Sequence, residues 1–300
     1  MESLQELISW DNSYNKILAF NLSLLIVLFT SLRLFSGVIS HINAADEFFR
    51  KDNPAFGISV AGVAFAVTII LSGTVYGDPV QDFYDSIIAI GLYGVLGIAL
   101  MALTRMIVDK ISLRELSIRD EIVKGNIAAA IVDAGHVIAT GIIIRGVMVW
   151  IAANTIEGLQ ALLIGYAVSQ IILMATSAVR LRWFGIQSDG KSMQEEFKNG
   201  NIALALLFAG RKIGTAFAIT AASQLMLYTL LDIQKLLIAW TFVSVIMIIL
   251  LTIISWIADR LIFFRVNAQH EVIEQRNIAV GALQAITYIS LGLFLSQLMV

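Results

Sequence analysis

A short phrase recurs four times along this chain, each time at the entrance to a long apolar run. It reads Glu47-x-Phe49-x-x-x-Asn53-x-Ala55, then Asp120-x-Ile122-x-x-x-Asn126-x-Ala128, Glu195-x-Phe197-x-x-x-Asn201-x-Ala203 and Glu271-x-Ile273-x-x-x-Asn277-x-Ala279. Asn53, Asn126, Asn201 and Asn277 are separated by 73, 75 and 76 residues, and a further alanine (Ala61, Ala134, Ala209, Ala285) holds register in every copy. Self-similarity at a fixed period marks a chain built from copies of one supersecondary unit. The expected architecture is therefore four copies of one unit.

What kind of unit follows from hydropathy. The chain is 58% apolar and 14% charged, whereas soluble domains carry about 25% charged residues. Apolar stretches of about 20 residues suffice to cross a hydrocarbon core. Such stretches open near Ile17, Asn53, Phe83, Asn126, Leu159, Asn201, Leu236 and Asn277. The fold class expected is all-α: a polytopic membrane protein of eight transmembrane helices, made of four parallel two-helix repeats joined by short amphipathic cytoplasmic helices. Each unit crosses twice, so the copies point the same way and are related by an axis along the membrane normal. The halves fall at 1–152 and 153–300.

Of the 20 Lys and Arg, only Lys16, Lys235, Arg145, Arg211 and Lys212 lie away from the loops after the odd-numbered helices. The positive-inside rule then puts those loops in the cytoplasm and both termini outside. The stretch before the first apolar run carries Glu2, Glu6 and Asp11 and no basic residue, so it lacks the basic region of a cleavable signal peptide. Trp150 and Trp240 are expected at the outer interface, Trp183 and Trp256 at the inner. In the segment Val108 to Lys124, Ile111, Leu113, Leu116, Ile118 and Ile122 alternate with charged residues, the pattern of a helix lying in the headgroup region.

Absences narrow the chemistry. With no cysteine, disulfides and thiolate metal sites are excluded. No zinc-protease, phosphate-loop or nucleophile-elbow signature is present, and His41, His136 and His270 lack metal-ligand spacing. No enzymatic activity, cofactor, metal or nucleic-acid partner is expected; the partner is the lipid bilayer.

Two readings stand for the repeated motif of Glu47, Asn53, Asp120, Asn126, Glu195, Asn201, Glu271 and Asn277. Asparagine is a preferred helix N-cap, and Pro54 after Asn53 suits the first helical position. Alternatively, a ring of four asparagines and four acids would line a cytoplasmic mouth and attract cations. Beyond each asparagine, small residues four apart (Gly57 and Ala61, Ala130 and Ala134, Ala205 and Ala209, Gly281 and Ala285) allow close helix contact. Gly91, Gly94 and Gly97 suggest another.

Ionisable groups inside spans are costly and mark candidate sites. Asp133, His136, Arg211 and Lys212 lie deepest: Arg211 has the register of His136, and an Asp133 pair with Arg211 or Lys212 would join the two halves. Such a pair either fixes how the halves dock or forms a solute site at a mid-membrane seam, where two cations against one acid favour an anion. Arg145 is expected to reach the outer headgroups; Asn21 and Gln170 are weaker candidates for contacts between helices.

The phrases Gly125-Asn-Ile-Ala, Asp133-Ala-Gly135 and Thr140-Gly141-Ile-Ile-Ile-Arg145-Gly146, echoed by Gly200-Asn-Ile-Ala and Ala209-Gly210, resemble the YjfL-type family of bacterial inner-membrane proteins. That family is built on a four-helix domain of unknown function (DUF 350), and this chain is similar to its tandem form from about Asn15 to Val300. The resemblance implies a bacterial cytoplasmic membrane and carries no activity or site. Ile286 departs from Gly62, Gly135 and Gly210 at the same register. The functional expectation is a channel or transporter for a small solute. The alternative is a non-transporting scaffold or envelope-stress partner that oligomerises and acts through its amphipathic segments.

Overall fold

A computed structural model describes residues 44–74, 83–151, 156–188, 190–226 and 233–298, with scattered helical positions between 15 and 30. The described residues are helical and contain no strand. In chain order the helices are α1 (Ala44–Phe49), α2 (Pro54–Thr74), α3 (Phe83–Ile107), α4 (Ile118–Val123), α5 (Ile127–Ile151) and α6 (Ile156–Gln187). They are followed by α7 (Met193–Lys198), α8 (Ile202–Gln224), α9 (Ile233–Ile262), α10 (Ala268–Ile273) and α11 (Ile278–Leu298). Seven of them, α2, α3, α5, α6, α8, α9 and α11, are long and apolar enough to cross a membrane. The eighth expected span, opening near Ile17, falls largely outside the described residues, as does Asn21.

The helices that follow the asparagines form a row. α2 packs chiefly on α5, α5 on α8 and α8 on α11, while α3, α6 and α9 flank them. The two central members are the most enclosed, and α11 at one end is far less so. Between apolar helices in lipid, attraction comes from van der Waals packing, so small residues decide how near two backbones come. One glycine in each of the first three row helices meets one alanine in the next. A Cβ placed on Gly62 would stand 2.6 Å from Ala134 Cβ, and one on Gly135 would stand 2.5 Å from Ala209 Cβ. Gly210 meets Ala285 in the same way. The alanines are those expected from the small-residue spacing. Of the α3 glycines, Gly97 is closed by Ile70, whereas Gly91 has nothing within 4 Å.

Two surface expectations change. Leu113, Leu116, Ile118 and Ile122 are buried in a core they share with Phe197, Phe208 and Ala128, and only Ile111 is exposed. The segment thus spends its apolar face inside the protein, because α4 folds back beneath the row. Trp240 is buried inside the protein, stacked on Trp150 with ring centroids 5.9 Å apart; Trp150 Nε1 donates to the Met226 carbonyl. Trp183 and Trp256 remain exposed.

Overpacking a closed contact costs about 1–3 kcal/mol. Gly135→Val is expected to lower thermal stability of the purified protein in detergent by that amount. Gly91→Ala, which meets open space, should leave the melting temperature unchanged or slightly raised.

Candidate functional site

The repeated motif resolves into a connector. Each asparagine caps its own helix: Asn53 Oδ1 accepts from the Ala55 and Phe56 amides, Asn126 Oδ1 from Ala129, Asn201 Oδ1 from Leu204 and Asn277 Oδ1 from Ala279. The amide nitrogen then reaches the next segment. Asn53 Nδ2 donates to the Ile122 carbonyl at 2.9 Å, Asn126 Nδ2 to Phe197 and Lys198 at 3.0 Å, and Asn201 Nδ2 to Val272 at 3.1 Å. The same nitrogen donates to an acid of its own segment. That acid is Glu47 for Asn53 and Glu271 for Asn277, as the phrase suggests, but Glu121 for Asn126 and Glu196 for Asn201.

Asp120 and Glu195 are therefore exposed neighbours of the residues that carry the bond. The slip has a backbone cause. Gly125 (φ 86°) and Gly200 (φ 76°) supply the left-handed residue that ends α4 and α7. The next N–H closes five residues back, on Glu121 or Glu196, as in a Schellman motif. In the first and last copies Asp52 (φ 47°) and Arg276 (φ 53°) take the left-handed place, and the turn closes six residues back, on Glu47 or Glu271. In all four cases the asparagine binds both the carbonyl and the carboxylate of one acid. Glu47 and Glu121 are buried and tied to Lys51 and Lys124.

The deep charged residues separate into two groups. Asp133 pairs with Arg105 of α3, not with Arg211 or Lys212. Arg105 Nε and Nη2 donate to Asp133 Oδ1 and Oδ2 at 3.1 and 2.5 Å, and Ser59 Oγ of α2 donates to Oδ2 at 2.6 Å. Asp133 is buried and the Arg105 side chain is 36% exposed. A helix turns about 100° per residue, so Asp133 and His136 diverge by about 60° around α5. Asp133 faces α2 and α3. His136 faces α8, its ring 5.6 Å from that of Phe208, its Nδ1 donating to the Val132 carbonyl and its buried Nε2 unpartnered.

Lys212 is 1% exposed and donates to the Leu173 carbonyl of α6 at 2.6 Å. Arg180 of α6 donates through Nη2 to Thr215 Oγ1 at 2.7 Å, and Thr215 donates in turn to the Arg211 carbonyl. The Arg211 guanidinium sits over the Tyr288 ring at 5.2 Å. Arg180 lies within electrostatic reach of Arg211 and of Lys212. Asp259 Oδ2 of α9 accepts from Gln284 of α11, one helical turn from the Tyr288 ring over which Arg211 sits. Arg180 Nη1, Arg211 Nε, Asp259 Oδ1 and Gln284 Oε1 are buried without partners. Elsewhere Gln170 donates to Thr140, and Arg145 to Ser72.

Arg105 and Arg180, placed by sequence among the loop cations, lie inside helices. The signal was available: both stand 21 residues before an asparagine, Asn126 and Asn201. The aspartate seven past Asn126 that neutralises Arg105 is replaced by Phe208 seven past Asn201. The first pair is closed; the second cation is left without its carboxylate.

Breaking a buried pair on one side costs about 3–5 kcal/mol, less where water reaches one partner. Asp133→Asn should lose about 2–3 kcal/mol by thermal unfolding, and Asp133→Leu with Arg105→Leu should recover most of it. The connector gives a pH dependence. Burial pushes the Glu47 and Glu121 carboxyls up, but hydrogen bonds from Lys51 and Asn53, and from Lys124 and Asn126, outweigh it and hold both below the ordinary carboxylate range. A carboxyl depressed on folding stabilises above its unfolded pKa of about 4.3 and loses that stabilisation as pH falls through the folded value. Melting temperature should therefore drop below about pH 4, and Asn53→Ala should cost about 1–2 kcal/mol at pH 7 while flattening the acid limb.

A family model described as Domain of Unknown Function (DUF350) matches residues 4–148 and again residues 154–299. No curated protein and no solved structure matches the chain. The chain belongs to the DUF350 family and carries two tandem copies of its domain.

Proposed function

We propose that this protein is an eight-span bacterial inner-membrane protein, assembled from four parallel two-helix units with both termini outside. In this reading its second half binds and passes a small anion without chemical conversion. The observation that carries the reading is the cluster of Arg180, Arg211 and Lys212 among α6, α8 and α11, with the Asp259–Gln284 pair one turn away and buried donors left unpartnered. Uncompensated charge in a low-dielectric setting is expensive, and such groups mark ion and substrate pathways. The Asp133–Arg105 pair of the first half is closed by comparison and serves as a lock between α2, α3 and α5. The scaffold alternative draws less support, since the segment meant to lie on lipid turns its leucines inward.

The test is anion flux in liposomes. Wild type should pass at least one of chloride, nitrate, sulfate and phosphate above empty vesicles. Arg211→Gln and Lys212→Met should reduce that flux about tenfold or more, a barrier change of about 1.4 kcal/mol. The lipid-facing Phe242→Ala should not. Flux equal to empty vesicles for every anion rules the reading out.

A further inference from the structure

We propose that the second-half cluster selects an oxyanion bearing one hydroxyl, with hydrogen phosphate the simplest member of the class. The inference rests on the anion reading above and adds the ligand's chemistry. Guanidinium groups present planar forks of N–H donors that match oxyanions and are wasted on a spherical halide. Arg180 Nη1 and Arg211 Nε are such donors, buried and unpartnered, and the Arg180 side chain is held through the Thr215 hydroxyl to the backbone carbonyl of Arg211. Lys212 adds a cation whose resolved partner is a backbone carbonyl.

The acceptors complete the argument. Asp259 Oδ1 and Gln284 Oε1 are also buried and unpartnered, and they belong to one hydrogen-bonded pair that lies one helical turn from Tyr288, the ring under Arg211. Buried acceptors demand a donor, and leaving one unmet forfeits the hydrogen bond it had to water. Sulfate and nitrate have no proton to give; they would add repulsion at the carboxylate. Hydrogen phosphate offers bare oxygens to the arginines and one O–H to Asp259 or Gln284. A site built to hydrogen-bond a hydroxyl rejects the analogue that lacks it far more strongly than an apolar site can. Three cations against one carboxylate also suit a doubly charged ligand.

The test uses the full chain in detergent at pH 7.5 and constant ionic strength, with inorganic phosphate, sulfate, nitrate and chloride as probes and thermal stabilisation or calorimetry as readout. Phosphate should bind at least tenfold tighter than sulfate, and both tighter than chloride. Asp259→Asn should narrow the phosphate-to-sulfate ratio to about threefold or less, because the amide can donate to either ion. Arg180→Lys, which keeps the charge and loses the fork, should weaken both oxyanions while sparing chloride. Sulfate binding as tightly as phosphate, or an unchanged ratio in Asp259→Asn, overturns the proposal while leaving an anion site. Absence of binding by all four ions overturns the proposal and the anion site together. Phosphatidic acid, a phosphomonoester lipid, shares the chemistry; its competition with phosphate in nanodiscs would place the source in the bilayer, and its failure to compete would assign the site to free phosphate.

Discussion

A primary carboxamide has one acceptor oxygen and two donor hydrogens, and the architecture here depends on how four asparagines distribute them. The oxygen caps the N-terminus of the helix that follows. The hydrogens hold the preceding turn through its acid and, for Asn53, Asn126 and Asn201, the corresponding turn of the following segment. Aspartate or serine could cap, but neither can also donate twice. The row of α2, α5, α8 and α11 is thus set at one end by directed polar bonds, and along its length by glycine against alanine. Direction at the turn and proximity along the helix are separate constraints, and only together do they fix both rotation and spacing.

Much of this was legible in the sequence. Seven apolar runs became helices at the expected places, the asparagines fell at their N-termini, and three of the four alanines in register, Ala134, Ala209 and Ala285, became contact points. What stayed hidden shares one physical origin: pattern gives position along a helix but not which neighbour fills the space opposite. Asp133 could be placed in depth, yet its partner lay on α3, in an arginine that resembled a loop cation. The acids slipped by one residue in two copies, because Asp120 and Glu195 stand beside Glu121 and Glu196 and only the turn closure distinguishes them. Trp240 reads as an interfacial anchor until Trp150 is seen to cover it.

The two halves treat the same problem in opposite ways. Both carry an arginine at the same register, and burying a charge is tolerable only when it is paired. In the first half Asp133 and Ser59 complete the pairing, giving a compact bidentate contact of three helices. In the second, Phe208 occupies the position of the carboxylate, packed on Phe197 and beside His136, and Arg180 turns to a threonine hydroxyl instead. The two central repeat units thus differ where charge meets the helix interior, while they share Gly125 and Gly200 at their turns and Gly135 and Gly210 at their close contacts.

One substitution sets a boundary on the whole arrangement. Contacts of the type Gly62 to Ala134 are directional, with a groove on one side of a helix and a bump on the other, so nothing in them limits how many members a row can hold. Ile286, half exposed on α11, puts a branched side chain where the groove should be. A fifth helix, from this chain or another, would meet a β-branched wall instead of bare backbone. The number of members is therefore written locally, by one side chain on the last of them.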